Sequence, residues 1–304
     1  MGGDEAKGSK EGRVRGMRSA SSASQATGGA PQGTWTKQAE AAAGPTPRVL
    51  EAVAYAENID RLVVFGGTLL DSDGQLADNS FELWAYDPNA NVWDRLYSGA
   101  TWPPAGRVAS VMGYDAKAGK LLLFGGRDDL GKELSDTWVY DPMVATWTEL
   151  HPATSPPGGG QYGGMVYDPD AGRLLLLWFD DDAKLAPEVW SFDFAATAWS
   201  KLATINELPP SRTHPSVLWA EDIGLLLMIG GAAPEGAAND VWLFDPASGD
   251  WMQQDRLPKA IMGDVGLGTL QMAAYDPVGK RAILCTTQKA DTNIQNRDIW
   301  IFTP

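Results

Sequence analysis

The sequence has a single cysteine, Cys285, and two histidines, His151 and His214. One cysteine excludes an intrachain disulfide. So few soft or imidazole ligands make a metal site or a cofactor an unexpected find. Basic residues are also scarce: 24 Lys and Arg stand against 39 Asp and Glu, a formal net charge of −15. That balance argues against nucleic acid and anionic membrane as partners, because both call for basic patches. No run of eighteen apolar residues occurs, so no helix is expected to cross a membrane. The first residues lack the apolar core of a signal peptide. A cytoplasmic location is therefore the default expectation, with processing of an exported chain left open. G-x-x-x-x-G-K-[ST], H-E-x-x-H and a serine nucleophile elbow are all absent.

Tryptophan, by contrast, is abundant: thirteen in 304 residues. Ten of them fall into two columns of a repeat. Tyr55, Tyr114, Tyr167, Trp219 and Tyr275 each close a run of small residues, and ten residues later stand Phe65, Phe124, Leu177, Ile229 and Cys285. A W-x-aromatic pair follows each: Trp84/Tyr86, Trp138/Tyr140, Trp190/Phe192, Trp242/Phe244 and Trp300/Phe302. Seven residues on, four copies place Trp93, Trp147, Trp199 and Trp251. In residues 107–147 the unit reads as four short strands, 108–114, 120–124, 137–140 and 145–149, split by turn formers such as Asp141-Pro142. Four strands per unit and a period in the fifties are the pattern of a β-propeller. The fifth copy stops at Pro304, before its last Trp. Thr34-Trp35-Thr36-Lys37 matches Thr146-Trp147-Thr148-Glu149, so an N-terminal strand is expected to complete the last blade and remove the open sheet edges.

The string Arg…Tyr-Asp…Leu-Leu-Phe-Gly-Gly…Asp-Thr-Trp-Val-Tyr-Asp-Pro…Trp resembles the kelch motif, over about 34–304. The resemblance implies an all-β, five-bladed kelch-type propeller, with four antiparallel strands per blade and 34–304 as one domain. Residues 1–33, rich in Gly, Ser and Ala, are expected to be a disordered tail. Kelch propellers serve mostly as binding scaffolds, some as ligand binders and a few as enzymes, so the resemblance implies a protein or glycan partner and a monomeric scaffold.

Let strands a to d run from the inside of each blade outward. Turns a–b and c–d then share one end of the propeller, and the longer, more varied loops b–c and d–a share the other. Variable loops on a rigid frame are where such folds bind, so the b–c and d–a face is the expected recognition surface. Seven residues before the strand-a aromatic stand Arg48, Arg107, Gly160, Arg212 and Gly268. After strand b stand Gly66-Gly67, Gly125-Gly126, Trp178-Phe179, Gly230-Gly231 and Thr286-Thr287. Arg and Gly-Gly thus occur together, which suggests that the glycines make room for the arginine to lie across them. The candidate binding residues on this face are Arg48, Arg107, Arg212, Arg127, Trp102, Gln161, Tyr162, Trp178 and His214. Asp180, Asp181 and Asp182 read as a solvated acidic loop; consecutive carboxylates do not wrap a cation well.

The alternative is a carbohydrate-active enzyme, a sugar isomerase, mutarotase or glycosidase, using Glu51 with Arg107 and Arg212. A glycosidase needs a second carboxylate within about 10 Å. The inner-strand positions equivalent to Glu51 are Ser110, Gly163, Pro215 and Gln271. A copper oxidase of the galactose oxidase kind is disfavoured, because Cys285 falls at a strand-b position.

Overall fold

The computed structural model describes residues 34–39, 41, 43–96, 104–158, 163–179, 186–221, 223–233, 236–238, 240–254, 271–279, 281–290 and 293–303. The chain divides into Met1–Gln32 and Gly33–Pro304; the first unit, with the expected tail, lies outside the described residues. Within the second unit the protein is all-β. The one helical element described is a single 3-10 turn, Glu57–Ile59.

The described strands form five four-stranded antiparallel sheets, with a three-stranded and a two-stranded sheet in the connecting loops. The second sheet is the simplest: strand a Val111–Asp115, b Lys120–Phe124, c Thr137–Asp141 and d Thr146–Leu150. The a strands of the other sheets are Ala52–Ala56, Gly164–Asp168, Ser216–Ala220 and Gln271–Asp276. All sheets share one register. In the second, Tyr114 stands opposite Leu121, Leu121 opposite Tyr140, and Tyr140 opposite Trp147. In the fifth, Tyr275 stands opposite Ala282 and Ala282 opposite Phe302. Phe302 in turn stands opposite Trp35, because Thr34–Lys37 pairs antiparallel with Asn293–Thr303. The d strand of the last sheet therefore comes from the start of the unit.

The strand-d tryptophans join neighbouring sheets. Trp147 lies 5.1 Å from Tyr140 of its own sheet and 5.3 Å from Phe65 of the preceding one. Trp199 repeats this with Phe192 and Phe124, at 5.0 and 5.3 Å. Edge-to-face and tilted pairs at such distances add about 0.5–1.5 kcal/mol each to the apolar area they bury. The core is accordingly a series of clusters, each between two sheets: Phe65, Leu121 and Trp147 between the first and second, Phe124, Leu176 and Trp199 between the second and third, Leu177, Met228 and Trp251 between the third and fourth, and Leu62, Ile283 and Ile301 between the fifth and first. The a strands neighbour one another in the order first, second, third, fourth, fifth, first.

Two boundaries differ from the expected strands. Strand a of the second sheet begins at Val111 and not at 108, because Ala109 takes a left-handed backbone (φ 57°) and Val108 bridges to Arg127 instead. In the fifth sheet strands b and c, Arg281–Ala290 and Asn293–Thr303, outrun the short strands expected of the unit, with pairing carried out to Ala290 and Asn293 past an irregularity between Thr287 and Lys289.

Candidate functional site

The d–a and b–c segments meet at one end of the sheets. Arg48 and Val49 pair with Leu69 and Thr68, Val108 bridges Arg127, and Thr213 bridges Ala232. This end carries a polar network repeated in three sheets. Arg107 donates from Nε to Ala105 O (3.1 Å), from Nη1 to Gly125 O (3.1 Å) and to Asp136 Oδ1 (2.6 Å), and from Nη2 to Asp136 Oδ2 (2.9 Å). Arg212 repeats these bonds with Pro210 O, Gly230 O and both oxygens of Asp240. Arg48 does so with Thr46 O, Gly66 O, Ser80 Oγ and Glu82 Oε2. The guanidiniums are 0–1% exposed.

Local backbone explains the arrangement. Leu50, Ala109 and His214, each two residues after its arginine, are left-handed at φ 60°, 57° and 55°. The corner they make brings its backbone onto the second glycine of the pair. A Cβ at Gly126 would stand 2.7 Å from Val108 O, and φ there is 92°. Only glycine fits that position, and its neighbour Gly125 offers the arginine an unobstructed carbonyl.

The acid that completes the network was not among the expected site residues, although its signal is regular. It stands two residues before the strand-c Trp: Glu82, Asp136, Glu188, Asp240 and Asp298. The Trp indole donates to the same carboxylate, from Trp84 to Glu82 (3.1 Å), Trp138 to Asp136 (2.7 Å) and Trp242 to Asp240 (2.8 Å). In the third sheet, which has Gly160 in place of the arginine, Trp190 still donates to Glu188, and Glu188 pairs with the half-exposed Lys201 at 2.6 Å. Burial pushes the carboxyls of Glu82, Asp136 and Asp240 up, but the bonds and charges of the arginines and the indole bonds outweigh it and hold all three below the usual carboxylate range. Each arginine thus makes four hydrogen bonds to groups of its own repeat.

Outside this network two b–c hairpins stand exposed. In the first, Asp71 accepts from the backbone N–H groups of Asp73 and Gln75. In the second, Asp128 accepts from Leu130 and Lys132 in the same way. The two hairpins are tied together: Asn79 N donates to Asp129 Oδ1 (2.7 Å), and Asn79 Nδ2 to Arg127 O (3.4 Å). Arg127 pairs with Glu133 at 3.2 Å on this surface. Leu76 and Leu130 sit on it at 68% and 93% exposure.

The remaining expected residues are dispersed. Trp178 is buried in the cluster between the second and third sheets, where Trp178 and Phe179 replace the glycine pair. His214 is at the surface, but its surroundings withdraw enough water from the imidazole to push its pKa down to about 4. His151 is exposed beside Glu149, 4.0 Å away. Glu51 is buried, at 4%. The cavity at the inner edge of this end is about 80 Å³, lined by Ser110, Met112, Gly164, Met165 and Ser216 among others, with no carboxylate among the described lining residues. That volume suits a few waters and not a sugar ring. Trp102, Gln161, Tyr162 and Asp180–Asp182 lie outside the described residues. No group of three or more His, Cys, Asp or Glu suited to a metal occurs among the described residues, and no helix there is long and apolar enough to cross a membrane.

The family description KLHDC2/KLHL20/DRC7 Kelch-repeats domain matches residues 29–222 of this chain. An F-box/kelch-repeat protein of Arabidopsis thaliana is 25% identical over 237 residues, which cover 70% of this chain and 46% of that protein. Acyl-CoA-binding domain-containing protein 4 of the same plant is 25% identical over 249 residues, 77% of this chain and 35% of that protein. The alpha chain of the flagellar outer arm dynein of Chlamydomonas reinhardtii is 32% identical over 115 residues, 36% of this chain and 2% of that protein. The chain spans less than half the length of these curated relatives.

Proposed function

Because the chain belongs to the kelch-repeat family, we propose that residues 34–304 form a five-bladed propeller that acts as a protein-interaction module. Its recognition surface is the b–c and d–a end. The blade count rests on five sheets of one register, and ring closure on two features: the pairing of Thr34–Lys37 with Asn293–Thr303, and the cyclic order of the a strands. One relative's name sets kelch repeats beside an F-box, and another that aligns with this chain is named for an acyl-CoA-binding domain. Such companions suit a module that supplies contacts and leaves chemistry to others.

The observation that carries the reading is the joined pair of hairpins. Asp71 and Asp128 fix their backbones, Asn79 links them, and together they hold Leu76 and Leu130 in water. Apolar side chains on a rigid polar platform are what a protein partner buries. On this reading Arg48, Arg107 and Arg212 shape the loops and do not touch the partner, since they are buried and each already makes four hydrogen bonds inside the fold. Arg127 and Glu133 form the polar rim.

The test is a photo-crosslinking amino acid at position 130, with capture compared between this protein and the same protein carrying Leu76→Asp. A discrete crosslinked protein that Leu76→Asp abolishes is the expected result. Crosslinks that Leu76→Asp leaves unchanged, or none at all, would remove this surface as the recognition site.

A further inference from the structure

The opposite end of the inner strands carries a second site. Tyr55, Tyr114, Tyr167, Trp219 and Tyr275, one from each a strand, line a cavity of about 310 Å³ together with Glu57 and Glu221. That is nearly four times the cavity at the other end and falls at the lower limit of small-ligand pockets, ~300 Å³. Two of the rings are held from behind: the Tyr55 hydroxyl bonds to Asp60, and the Tyr114 hydroxyl accepts from Asn58 N at 3.2 Å.

The two glutamates come from a coupled departure in the repeat. In the second, third and fifth sheets the residue after the aromatic is Asp115, Asp168 or Asp276. Each turns its carboxylate back into its own a–b turn, accepting from the N–H of Ala118, Ala171 or Gly279. The next residue in these sheets is Ala116, Pro169 or Pro277, so the cavity wall there is apolar. In the first and fourth sheets the turn-closing Asp is replaced by Ala56 or Ala220, and the wall position is Glu57 or Glu221. The turns are still made without it, by a 3-10 turn ending at left-handed Asp60 and by Ile223 N bonding to Ala220 O. The acids are therefore not needed to close the chain. Neither glutamate side chain has an ion-pair or hydrogen-bond partner among the described residues. Burial and the nearby charges of Glu221 and Asp276 push the Glu57 carboxyl up, so the acids reach one another through space. Lys117, on the neighbouring turn, is the basic group nearest this wall: its Nζ and the Tyr167 hydroxyl both stand within 4 Å of one point at Gly172, and it shares that hollow with Asp115 and Asp193.

We propose that this funnel is a receptor for a basic side chain, the ammonium or guanidinium end of a lysine or arginine on a protein partner, with the cation between Glu57 and Glu221 and its alkyl stem against the aromatic rings. Ring faces attract a cation over and above the carboxylates, and an alkyl stem buries well against them. The net charge of −15 draws such a partner from a distance. The site is independent of the hairpin surface at the far end.

The test titrates the full chain calorimetrically with nine-residue Gly/Ser peptides whose central residue is Lys, Arg or norleucine, and with free lysinamide as the small-molecule arm. The Lys and Arg peptides should bind. Norleucine, which keeps the stem and loses the charge, should bind at least tenfold more weakly. The double variant Glu57→Gln/Glu221→Gln should lose at least tenfold in affinity for the Lys peptide without a fall in melting temperature, because neither side chain holds the fold by an ion pair or hydrogen bond among the described residues. Leu130→Asp, at the other end, should leave that affinity unchanged. Absence of binding by both basic peptides at 1 mM, equal binding by norleucine, or indifference to the double glutamine variant would each overturn the proposal. Lysinamide binding as tightly as the Lys peptide would overturn a protein partner as the source.

Discussion

Asp136 holds Arg107 by two bonds and Trp138 by a third, and this concentration of contacts makes the carboxylate expensive to lose. Asp136→Asn keeps the shape but strands a buried guanidinium against a neutral amide. Removing one partner of a buried pair costs roughly 3 kcal/mol or more. Glu188→Gln, where the partner is the half-exposed Lys201, should cost about 1 kcal/mol or less. The pH dependence separates this from a packing defect. The folded-state pKa of Asp136 lies below its unfolded value, so its contribution is present above about pH 4 and fades as pH falls through the folded value. Urea unfolding should therefore show a large gap between the protein and Asp136→Asn at pH 7 that narrows below pH 4. A gap that stays constant would assign the loss to packing.

At the scale of the element, what repeats in this chain is a corner: arginine, a left-handed residue two places on, and a glycine pair from strand b. The Gly126→Ala substitution puts a Cβ 2.7 Å from Val108 O and 2.9 Å from Ser110 N at φ 92°. It should cost about 3 kcal/mol or more, since strain and a clash with backbone add. Gly131→Ala, also at positive φ but with nothing within 4 Å, should cost about 1 kcal/mol. Denaturant midpoints of the two variants decide whether contact or backbone alone sets the cost. The corner also shows how far the sequence could be read. The co-occurrence of Arg and Gly-Gly was legible because both are conspicuous and spaced constantly. The left-handed residues were not, since Leu50, Ala109 and His214 share no side-chain type and are held there by the fold around them. The acid before the strand-c Trp stands in the kelch-like string as the Asp of Asp-Thr-Trp, but its pairing with an arginine nearly thirty residues upstream shows only once strands a, b and c lie side by side. The aromatic column was visible as a repeat, whereas its role as a cavity wall depends on five strands converging. That information lies in the assembly of sheets and in no single segment.

At the scale of the molecule, stability depends on how the last sheet obtains its fourth strand. Without Thr34–Lys37, the eleven-residue strand Asn293–Thr303 would present its outer edge unpaired. A long open edge is a template for intermolecular pairing. Each inter-sheet cluster also depends on its neighbours, and the one between the fifth and first sheets contains Ile301, whose strand pairs directly with 34–37. Two truncations separate these effects from any role of the preceding segment. A chain beginning at residue 33 keeps the strand and should melt within about 2 °C of the full chain. A chain beginning at residue 38 loses four pairings and the Trp35 position opposite Phe302; it should melt more than roughly 5 °C lower and aggregate in a concentration-dependent way. A synthetic peptide of residues 33–38 added to the shorter chain should restore part of the loss, by mass action on the vacant edge. If the chain beginning at 38 melts as the full chain does, the terminal strand is an ornament on a fold held by its other four sheets. If the peptide restores it, the ring is closed by non-covalent pairing between the two ends of one chain.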